Sequence, residues 1–243
     1  MAIIDKPSDY FVSNLHTGNG GTQNITSLDF QADLIWIKQR NEAQNNRLID
    51  SVRGNTKEIF SDLTTAEQTL TNGITAFNSN GFGLGSSNGY NKNSGTYVTW
   101  NWKAGTSFTN DASATGIGTI DSAGSVNTDA GFSIVSWTGS GSSATLAHGL
   151  GATPKMIIVK NRSDAVNWMV YHNSVVTASA TNKSFMTLNT TDALGTNGSA
   201  TTFTSVSDTT FGVGTDNIIN GSSDNMIAYC FAEKQGYSKF GNY

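Results

Sequence analysis

The chain has 243 residues, of which 37% are hydrophobic and 13% charged, and its formal net charge is −4 with a pI near 5.2. Nucleic-acid binding relies on clustered Lys and Arg, so this acidic balance argues against a nucleic-acid partner. The single cysteine, Cys230, excludes an intrachain disulfide framework and a cysteine-rich zinc site. No run approaches the roughly 18 apolar residues of a membrane-spanning helix, so no membrane insertion is expected.

Composition divides the chain into five predicted segments, taken here from the N-terminus. Residues 1–8 are predicted to form an N-terminal arm, and residues 9–104 a first β-unit. Residues 105–130 are rich in Gly, Ser and Thr, which is typical of a flexible connector, although a short strand could form in it. Residues 131–234 are predicted to form a second β-unit. Residues 235–243 resemble the opening strand of that unit, so they are interpreted as the start of a third repeat or as an exchanged terminal strand.

The two β-units are predicted to be duplicates, because four motifs recur in the same order. The phrase DLIWIKQRN at 33–41 returns as KMIIVKNRS at 155–163. The other pairs are TGNGG with TGSGS, FGLG with FGVG, and YVTWNW with MIAYCF. The runs are short, rich in β-branched and aromatic residues, and bounded by Gly, Asn and Ser. The predicted fold is therefore all-β, with two tandem duplicated β-sandwich-like units of jelly-roll or lectin-like type.

Alternation along the strands predicts a structural core in each unit. Ile35 and Ile37 share one face of the DLIWIKQRN strand, and this face is assigned to the core. Trp100 and Trp102 form the bulky face of the YVTWNW strand and are assigned to the core as well. Their counterparts in the second unit complete the predicted core: Ile157, Val159, Tyr229 and Phe231.

Each copy of the first phrase also carries a basic pair, Lys38 with Arg40 and Lys160 with Arg162. One interpretation is an anion site, for example for acidic polysaccharide. The other is a framework role, on a solvated face or paired with acids such as Asp33 or Asp50. The framework role is favoured, because a binding site rarely needs to occur identically in each duplicated half.

The residues show no catalytic constellation, so neither enzyme activity nor a cofactor is expected. The three histidines, His16, His148 and His172, are scattered and lack a partner at metal-ligand spacing. The Gly-rich turns lack the strand–loop–helix context that binds phosphate.

Two loops at equivalent places in the units, 86–95 and 215–225, are rich in Asn, Asp, Ser and Tyr. Such side chains could hydrogen-bond sugars, and a tyrosine ring could stack on one. The alternative, which is favoured, is a hairpin turn rich in residues that tolerate unusual dihedral angles. The candidate binding residues in these loops are Asn88, Tyr90, Asn217 and Asn220.

The motifs TGNGG, DLIWIKQRN, FNSNGFGLG, YVTWNWKAG and MIAYCFAEKQGYSKFG together resemble a repeat domain of unknown function. That domain is found in tail-fibre and other virion proteins of tailed bacteriophages, particularly marine ones. The resemblance implies a non-enzymatic structural protein on the surface of the phage particle. The favoured reading is a tail-fibre or adhesin segment that displays β-units for host attachment.

The resemblance also bears on partners. It implies a homo-oligomer, with a trimer favoured, together with other virion proteins and a host-surface glycan or protein. The alternative is a capsid decoration or head-fibre protein, which would bind the shell. A glycan depolymerase is the least favoured reading, because it would need acids clustered in a groove.

Overall fold

The computed structural model of the chain describes residues 3–181, 184–196 and 201–242. These residues form almost exclusively antiparallel β-structure, so the predicted all-β class is confirmed. The chain divides into two compact units. The N-terminal unit spans Asp5–Gly105, and the C-terminal unit comprises the residues from Thr106 onward together with Ile3 and Ile4.

The N-terminal unit consists of two antiparallel sheets. After a 3-10 turn at Pro7–Asp9, its elements in chain order are β1 (Phe11–Thr17), β2 (Gln23–Ile25), β3 (Leu34–Gln39), β4 (Arg47–Asp50), β5 (Lys57–Phe60), β6 (Gln68–Thr69), β7 (Ile74–Asn78), β8 (Gly81–Leu84), α1 (Asn88–Asn91) and β9 (Thr96–Trp102). The larger sheet has the order β1-β9-β3-β4-β5-β6, and the smaller sheet has the order β2-β8-β7. The core contains apolar side chains from both sheets, including Ile35, Ile37, Ile74 and Phe82. This arrangement is a sandwich.

The C-terminal unit is built in the same way. Its elements are β10 (Thr106–Asn110), α2 (Ala112–Thr115), β11 (Ser122–Asn127), β12 (Phe132–Thr138), β13 (Ala144–Ala147), β14 (Met156–Asn161), β15 (Met169–His172), β16 (Ser184–Thr187), β17 (Gly195–Thr196), β18 (Phe203–Val206), β19 (Thr210–Val213), α3 (Asn217–Asn220) and β20 (Asn225–Phe231). Its larger sheet has the order β10-β11-β12-β20-β14-β15-β16-β17, and its smaller sheet has the order β13-β19-β18. Ile157 and Val159 lie in its core with Phe203 and Phe211.

The two units share one strand order. The order β1-β9-β3-β4-β5-β6 corresponds strand for strand to β12-β20-β14-β15-β16-β17, and β2-β8-β7 corresponds to β13-β19-β18. Even an unusual backbone conformation recurs, since Ser94 has a φ of 61° and Ser223 a φ of 65°. The duplication stays a prediction, and this shared order supports it.

The segment 105–130 is folded, which corrects its interpretation as a flexible connector. β10 and β11 pair as an antiparallel hairpin, and β11 pairs with β12 at the edge of the larger sheet. Val126 belongs to the core, and Phe108 packs against it. Apolar residues spaced among Gly and Ser are therefore sufficient to hold this hairpin on the sheet.

The interpretation of residues 235–243 as the start of a repeat or as an exchanged strand stays a prediction. Residues 235–242 form no strand, and the only ladder contact of the described tail is a single bridge between Lys234 and Ser238. Gly236, with a φ of 81°, allows the tight turn between them. The carbonyl of Gln235 accepts a hydrogen bond from the backbone N–H of Ile4, in the predicted N-terminal arm.

The face assigned to the core on β9 was wrong. Trp100 and Trp102 lie half-buried on the opposite face, and the core face of β9 carries Tyr97, Thr99 and Asn101. Asn101 Nδ2 donates to the Val12 carbonyl and to Thr99 Oγ1, both at 2.9 Å, whereas the buried Oδ1 of the same amide accepts no hydrogen bond from the described residues.

On β20 both faces are largely buried, and Met226, Ala228 and Cys230 face the smaller sheet. Tyr229 is buried and Phe231 half-buried, both on the other face of the strand. Small residues on the core face leave room for large rings from the smaller sheet, such as Phe211. Bulk alone therefore does not identify the core face of a sandwich strand.

Candidate ligand-binding cleft

Two of the four predicted binding residues are buried and cannot contact a ligand. Tyr90 is 1% exposed and Asn220 is fully buried, whereas Asn88 and Asn217 are exposed. The Tyr90 hydroxyl donates to Glu58 Oε2 at 2.6 Å. Burial and this carboxylate raise the pKa of Tyr90 well above its ordinary value, so the hydroxyl stays protonated as a structural donor.

Asn220 organises the turns around it. Its Nδ2 donates to Ser140 Oγ at 3.0 Å and to the Ser142 carbonyl at 2.6 Å, and its Oδ1 accepts from Trp137 Nε1 at 3.2 Å. The exposed Asn217 donates from Nδ2 to Asp164 Oδ2 at 2.9 Å. The 215–225 loop is therefore mainly a structural turn, as the favoured interpretation predicts.

The repeated lysines are framework residues that hold loops. Lys38 Nζ donates to the Gln44 carbonyl, and Lys160 Nζ donates to the carbonyls of Asp164 and Val166 at 3.2 and 2.8 Å. Each lysine thus contacts the carbonyl six residues further along the chain. Lys160 is fully buried, and this burial lowers the pKa of its amine to about 8.

The acids suggested as partners for these basic residues have other contacts. Asp33 Oδ2 accepts the backbone N–H groups of Ala104 and Gly105 at 2.8 and 2.7 Å. Asp50 Oδ2 lies 2.6 Å from Arg53 Nε in a buried ion pair. Pairing of Lys38 or Arg40 with Asp33 or Asp50 is therefore wrong. Arg40 is exposed, and Arg162 is half-buried.

The histidines and the cysteine do not come together. Among the described residues, no group of three or more His, Cys, Asp or Glu side chains could hold a metal ion. His148 is fully buried, which lowers its pKa to about 4, and burial raises the pKa of the Cys230 thiol to about 12. A thiol with this pKa is not a nucleophile near neutral pH.

A polar cleft of about 760 Å³ lies in the C-terminal unit, beside the β10–β11 hairpin. The hairpin forms one wall, and residues from β12, from the start of β20 and from the turn after β14 form the other. The side chains that define its chemistry are Asn110, Asp111, Asp121, Trp137, Arg162 and Asn225.

Short-range hydrogen bonds fix the hairpin wall. Asp111 caps α2, since its Oδ1 accepts the N–H groups of Ser113 and Ala114 at 3.0 and 3.1 Å. These bonds, together with the Ser113 hydroxyl, lower the pKa of the Asp111 carboxyl. Asp121 Oδ1 accepts the N–H of Ala112 at 2.9 Å, so a second carboxylate is held at the same turn. The wall therefore presents preorganised negative charge.

On the opposite wall, Arg162 and Asn225 lie side by side. The backbone N–H of Arg162 donates to the Asn225 carbonyl at 2.8 Å, which places the two residues next to each other. Asn225 is exposed. The cleft thus combines carboxylate acceptors, a guanidinium donor and an amide that does both. The sequence identified Arg162 but missed the acids, because they lie in a segment interpreted as a linker.

A second, aromatic cleft lies on the N-terminal unit. Trp36, Trp100 and Trp102 line a cavity of about 260 Å³, and the rings of Trp36 and Trp100 meet edge to face at 6.3 Å. Phe11 packs against Trp102 with a ring separation of 4.8 Å. No charged residue in the described part of the chain lines this cavity. It therefore offers a polar ligand fewer hydrogen-bond partners than the polar cleft does.

The fold and the cleft define an all-β protein of sandwich-like units, one of which carries a polar surface groove. The chain belongs to the family described as a domain of unknown function (DUF7483), whose model matches residues 6–243. No curated protein and no solved structure matches the chain significantly. In the part of the chain that the structure describes, no helix has the length and apolar character needed to cross a membrane.

Proposed function

We propose that this chain is a non-enzymatic structural protein of a tailed-phage virion, a tail-fibre or adhesin segment that attaches to a host-surface glycan. The resemblance of its motifs to virion repeat domains supports the assignment to a phage particle. The all-β architecture, with rigid strands and many polar loops, supports a display role. One observation carries the attachment role, namely the polar cleft of the C-terminal unit.

The chemistry of this cleft suits sugar hydroxyls. Each hydroxyl can donate to a carboxylate such as Asp111 or Asp121 and can accept from the side-chain amide of Asn225. The volume of about 760 Å³ falls within the roughly 300–1,000 Å³ that is usual for ligand clefts. Because the carboxylates are already held by backbone N–H groups, little ordering entropy is lost when a ligand binds.

The position of the cleft favours a functional role over a framework role. The β10–β11 hairpin that forms one wall has no counterpart in the N-terminal unit, where β1 ends the sheet. Features shared by both units, such as the buried asparagines and the lysines that bond to loop carbonyls, maintain the fold. The acids of the hairpin are an addition to one unit only, as expected for a site that needs to occur once.

The lowered pKa of Asp111 supports binding and not hydrolysis. A general acid in a glycosidase needs a raised pKa so that it is protonated at the working pH. Hydrogen bonds from Ser113 and Ala114 lower the pKa of Asp111 instead, which keeps it ionised. A depolymerase role is therefore disfavoured for this carboxylate.

The test compares binding of the full chain to host cells and to virions stripped of their tails, with purified lipopolysaccharide and capsular polysaccharide as soluble probes. Asn225→Ala and Asp111→Asn change the cleft, and the Asp111→Asn variant keeps a good helix-capping residue. The matched control is Asn80→Ala, which alters an exposed Asn in the other unit, outside the two candidate loops.

The proposal expects both cleft variants to lose at least tenfold in affinity for cells and for one polysaccharide, with an unchanged melting temperature, while the control binds normally. Binding to tail-stripped particles and not to cells would contradict host attachment and indicate a capsid decoration protein instead. Release of new reducing ends from the polysaccharide would replace it by depolymerase activity.

A further inference from the structure

The outer edge of β1 in the N-terminal unit has no strand beside it in the described part of the chain. β1 is seven residues long and pairs with β9 alone. Apart from β9, no described backbone group hydrogen-bonds to the backbone of residues 11–17. The edge therefore presents a row of N–H and C=O groups, in a strand long enough to template a further strand.

The other unit shows what such an edge accepts. β12 occupies the place of β1, and its edge is covered by β11 in antiparallel register from Ala123 opposite Ser136 to Asn127 opposite Phe132. The two strands differ in burial accordingly. β12 is buried along most of its length, whereas Ser13, Leu15 and Thr17 of β1 are exposed.

The β1 edge carries none of the usual protections against pairing. Native edge strands are blunted by charged side chains, proline, bulges or very short length. The sequence of β1, FVSNLHT, has no Asp, Glu, Lys, Arg or Pro, and its pairing with β9 is free of register shifts. Leu15 is 64% exposed, the most exposed large apolar side chain among the described residues. An unguarded edge with an exposed leucine has the properties of an interface.

We propose that β1 is a self-association edge, on which β1 of a second copy of this chain pairs in antiparallel fashion. The strand is uncharged, so two copies brought edge to edge meet no repulsion between formal charges. A two-fold axis near Asn14, the middle residue of β1, places the Leu15 side chain of each copy over the neighbouring strand on the same sheet face. Both exposed leucines are then covered, and two larger sheets join into one.

This inference is independent of the glycan cleft, which lies in the other unit. It refines the homo-oligomer predicted from the resemblance, because an isologous strand pair closes as a dimer and leaves no free β1 edge for a third copy. The mass in solution therefore distinguishes this arrangement from the trimer that the resemblance favours.

The test uses light scattering of the full chain over a range of protein concentrations. Leu15→Lys and Ser13→Lys each place like charges on two strands that lie about 4.8 Å apart in the pair, and both positions are exposed, so the fold is retained. The control is Ile117→Lys, which changes a 39% exposed apolar residue in the other unit. Amide exchange of residues 11–17 reports directly on the edge.

The proposal expects the wild-type chain and the control to have twice the chain mass of 25.7 kDa, and both β1 variants to be monomers with an unchanged melting temperature. It also expects exchange at β1 to slow as concentration rises. A monomer at all concentrations, a trimer that survives Leu15→Lys, or a dimer without protection of β1 would overturn it. Glycan binding by the monomeric variants, measured on soluble polysaccharide, reports separately on the cleft.

Discussion

Asn91 and Asn220 make the same hydrogen bonds in the two units. Asn91 Nδ2 donates to the Gly85 carbonyl at 3.0 Å, and Asn220 Nδ2 reaches the equivalent Gly214 carbonyl at 3.4 Å. Each Nδ2 also donates to the turn that follows the first strand of its unit, the TGNGG turn or the TGSGS turn. Each Oδ1 accepts a backbone N–H from the same turn. Both side chains are fully buried, so each ties together strands that are distant in sequence.

Replacing Asn220 with Ala is expected to destabilise the C-terminal unit by about 2–4 kcal/mol. The substitution leaves buried groups such as the Trp137 indole N–H and the Gly214 carbonyl without their partner, and each such group costs about 1–3 kcal/mol. Urea unfolding followed by tryptophan fluorescence measures the loss. Asn88→Ala, at an exposed position, is the control and should change stability by less than about 0.5 kcal/mol. An equal effect of the two substitutions would contradict the structural role of Asn220.

The asparagine contacts explain why the glycine motifs recur in the sequence. A Cβ on Gly18 would lie 2.2 Å from the Lys92 carbonyl oxygen, and one on Gly139 would lie 2.0 Å from that of Gly221. Only glycine allows the turn to approach the loop this closely. The repeat itself could be predicted from these motifs, but their cause could not, because the contact joins positions more than 70 residues apart. Partners distant in sequence also concealed the burial of Tyr90, which bonds to Glu58, and of Asn220, which bonds to Trp137 and Ser142.

The core face of a strand was predictable where apolar residues alternate with charged ones. It was not predictable where neither face of the strand carries charged residues. On β3, Ile35 and Ile37 alternate with Trp36 and Lys38, and the aliphatic face is the buried one. On β9, tryptophans alternate with Thr99 and Asn101, and side-chain size suggested the wrong face. Asn101 faces inward there with its Nδ2 donating to the Val12 carbonyl, a partner that the sequence does not reveal.

The two left-handed serines predict a stabilising substitution. Ser223 is the third residue of a turn closed by a 3.1 Å hydrogen bond from the Asp224 N–H to the Gly221 carbonyl, and its φ is 65°. Glycine is the residue preferred at that place in a turn of this kind, because a side chain at positive φ is strained. Ser223→Gly should raise the free energy of unfolding by about 0.5–1 kcal/mol. Ser222→Gly, at the preceding exposed residue, should not raise it. A fall in stability with both variants would contradict this account.

The β10–β11 hairpin depends on a glycine at its junction with the sheet. A Cβ on Gly124 would lie 1.9 Å from the Ile134 carbonyl oxygen, which is backbone and cannot give way. Gly124→Ala should therefore detach the hairpin from β12, speed amide exchange across residues 106–127 and abolish binding in the polar cleft. Gly241→Ala is the control, since a Cβ there meets nothing within 4 Å. Normal exchange in the Gly124→Ala hairpin would show that the hairpin is held in some other way.

Buried His148 predicts that acid destabilises the C-terminal unit. Its Nδ1 accepts the N–H of Leu150 at 3.2 Å and its Nε2 lies 3.3 Å from the Ser207 carbonyl, so the neutral ring is bonded on both sides. Desolvation lowers its pKa from 6.5 to about 4 in the folded state. The unfolded chain therefore binds a proton between these pH values and the folded chain does not. The contribution of His148 to the free energy of unfolding is complete above pH 6.5. It is lost as the pH falls towards 4, where the loss reaches about 3 kcal/mol.

His148→Asn removes this titration and keeps an acceptor for Leu150. The variant is expected to be less stable than the wild type at pH 7.5, and the difference in unfolding free energy should shrink by about 2 kcal/mol between pH 7.5 and 4.5. Urea titrations at half-unit pH steps measure this difference in unfolding free energy. The titration of the carboxylates is common to both proteins, so it cancels in the difference. Between pH 7 and 8 the difference should be constant, because His148 is neutral in both the folded and unfolded states there. Curves that stay parallel down to pH 4.5 would show that His148 is charged, or free to become charged, inside the fold.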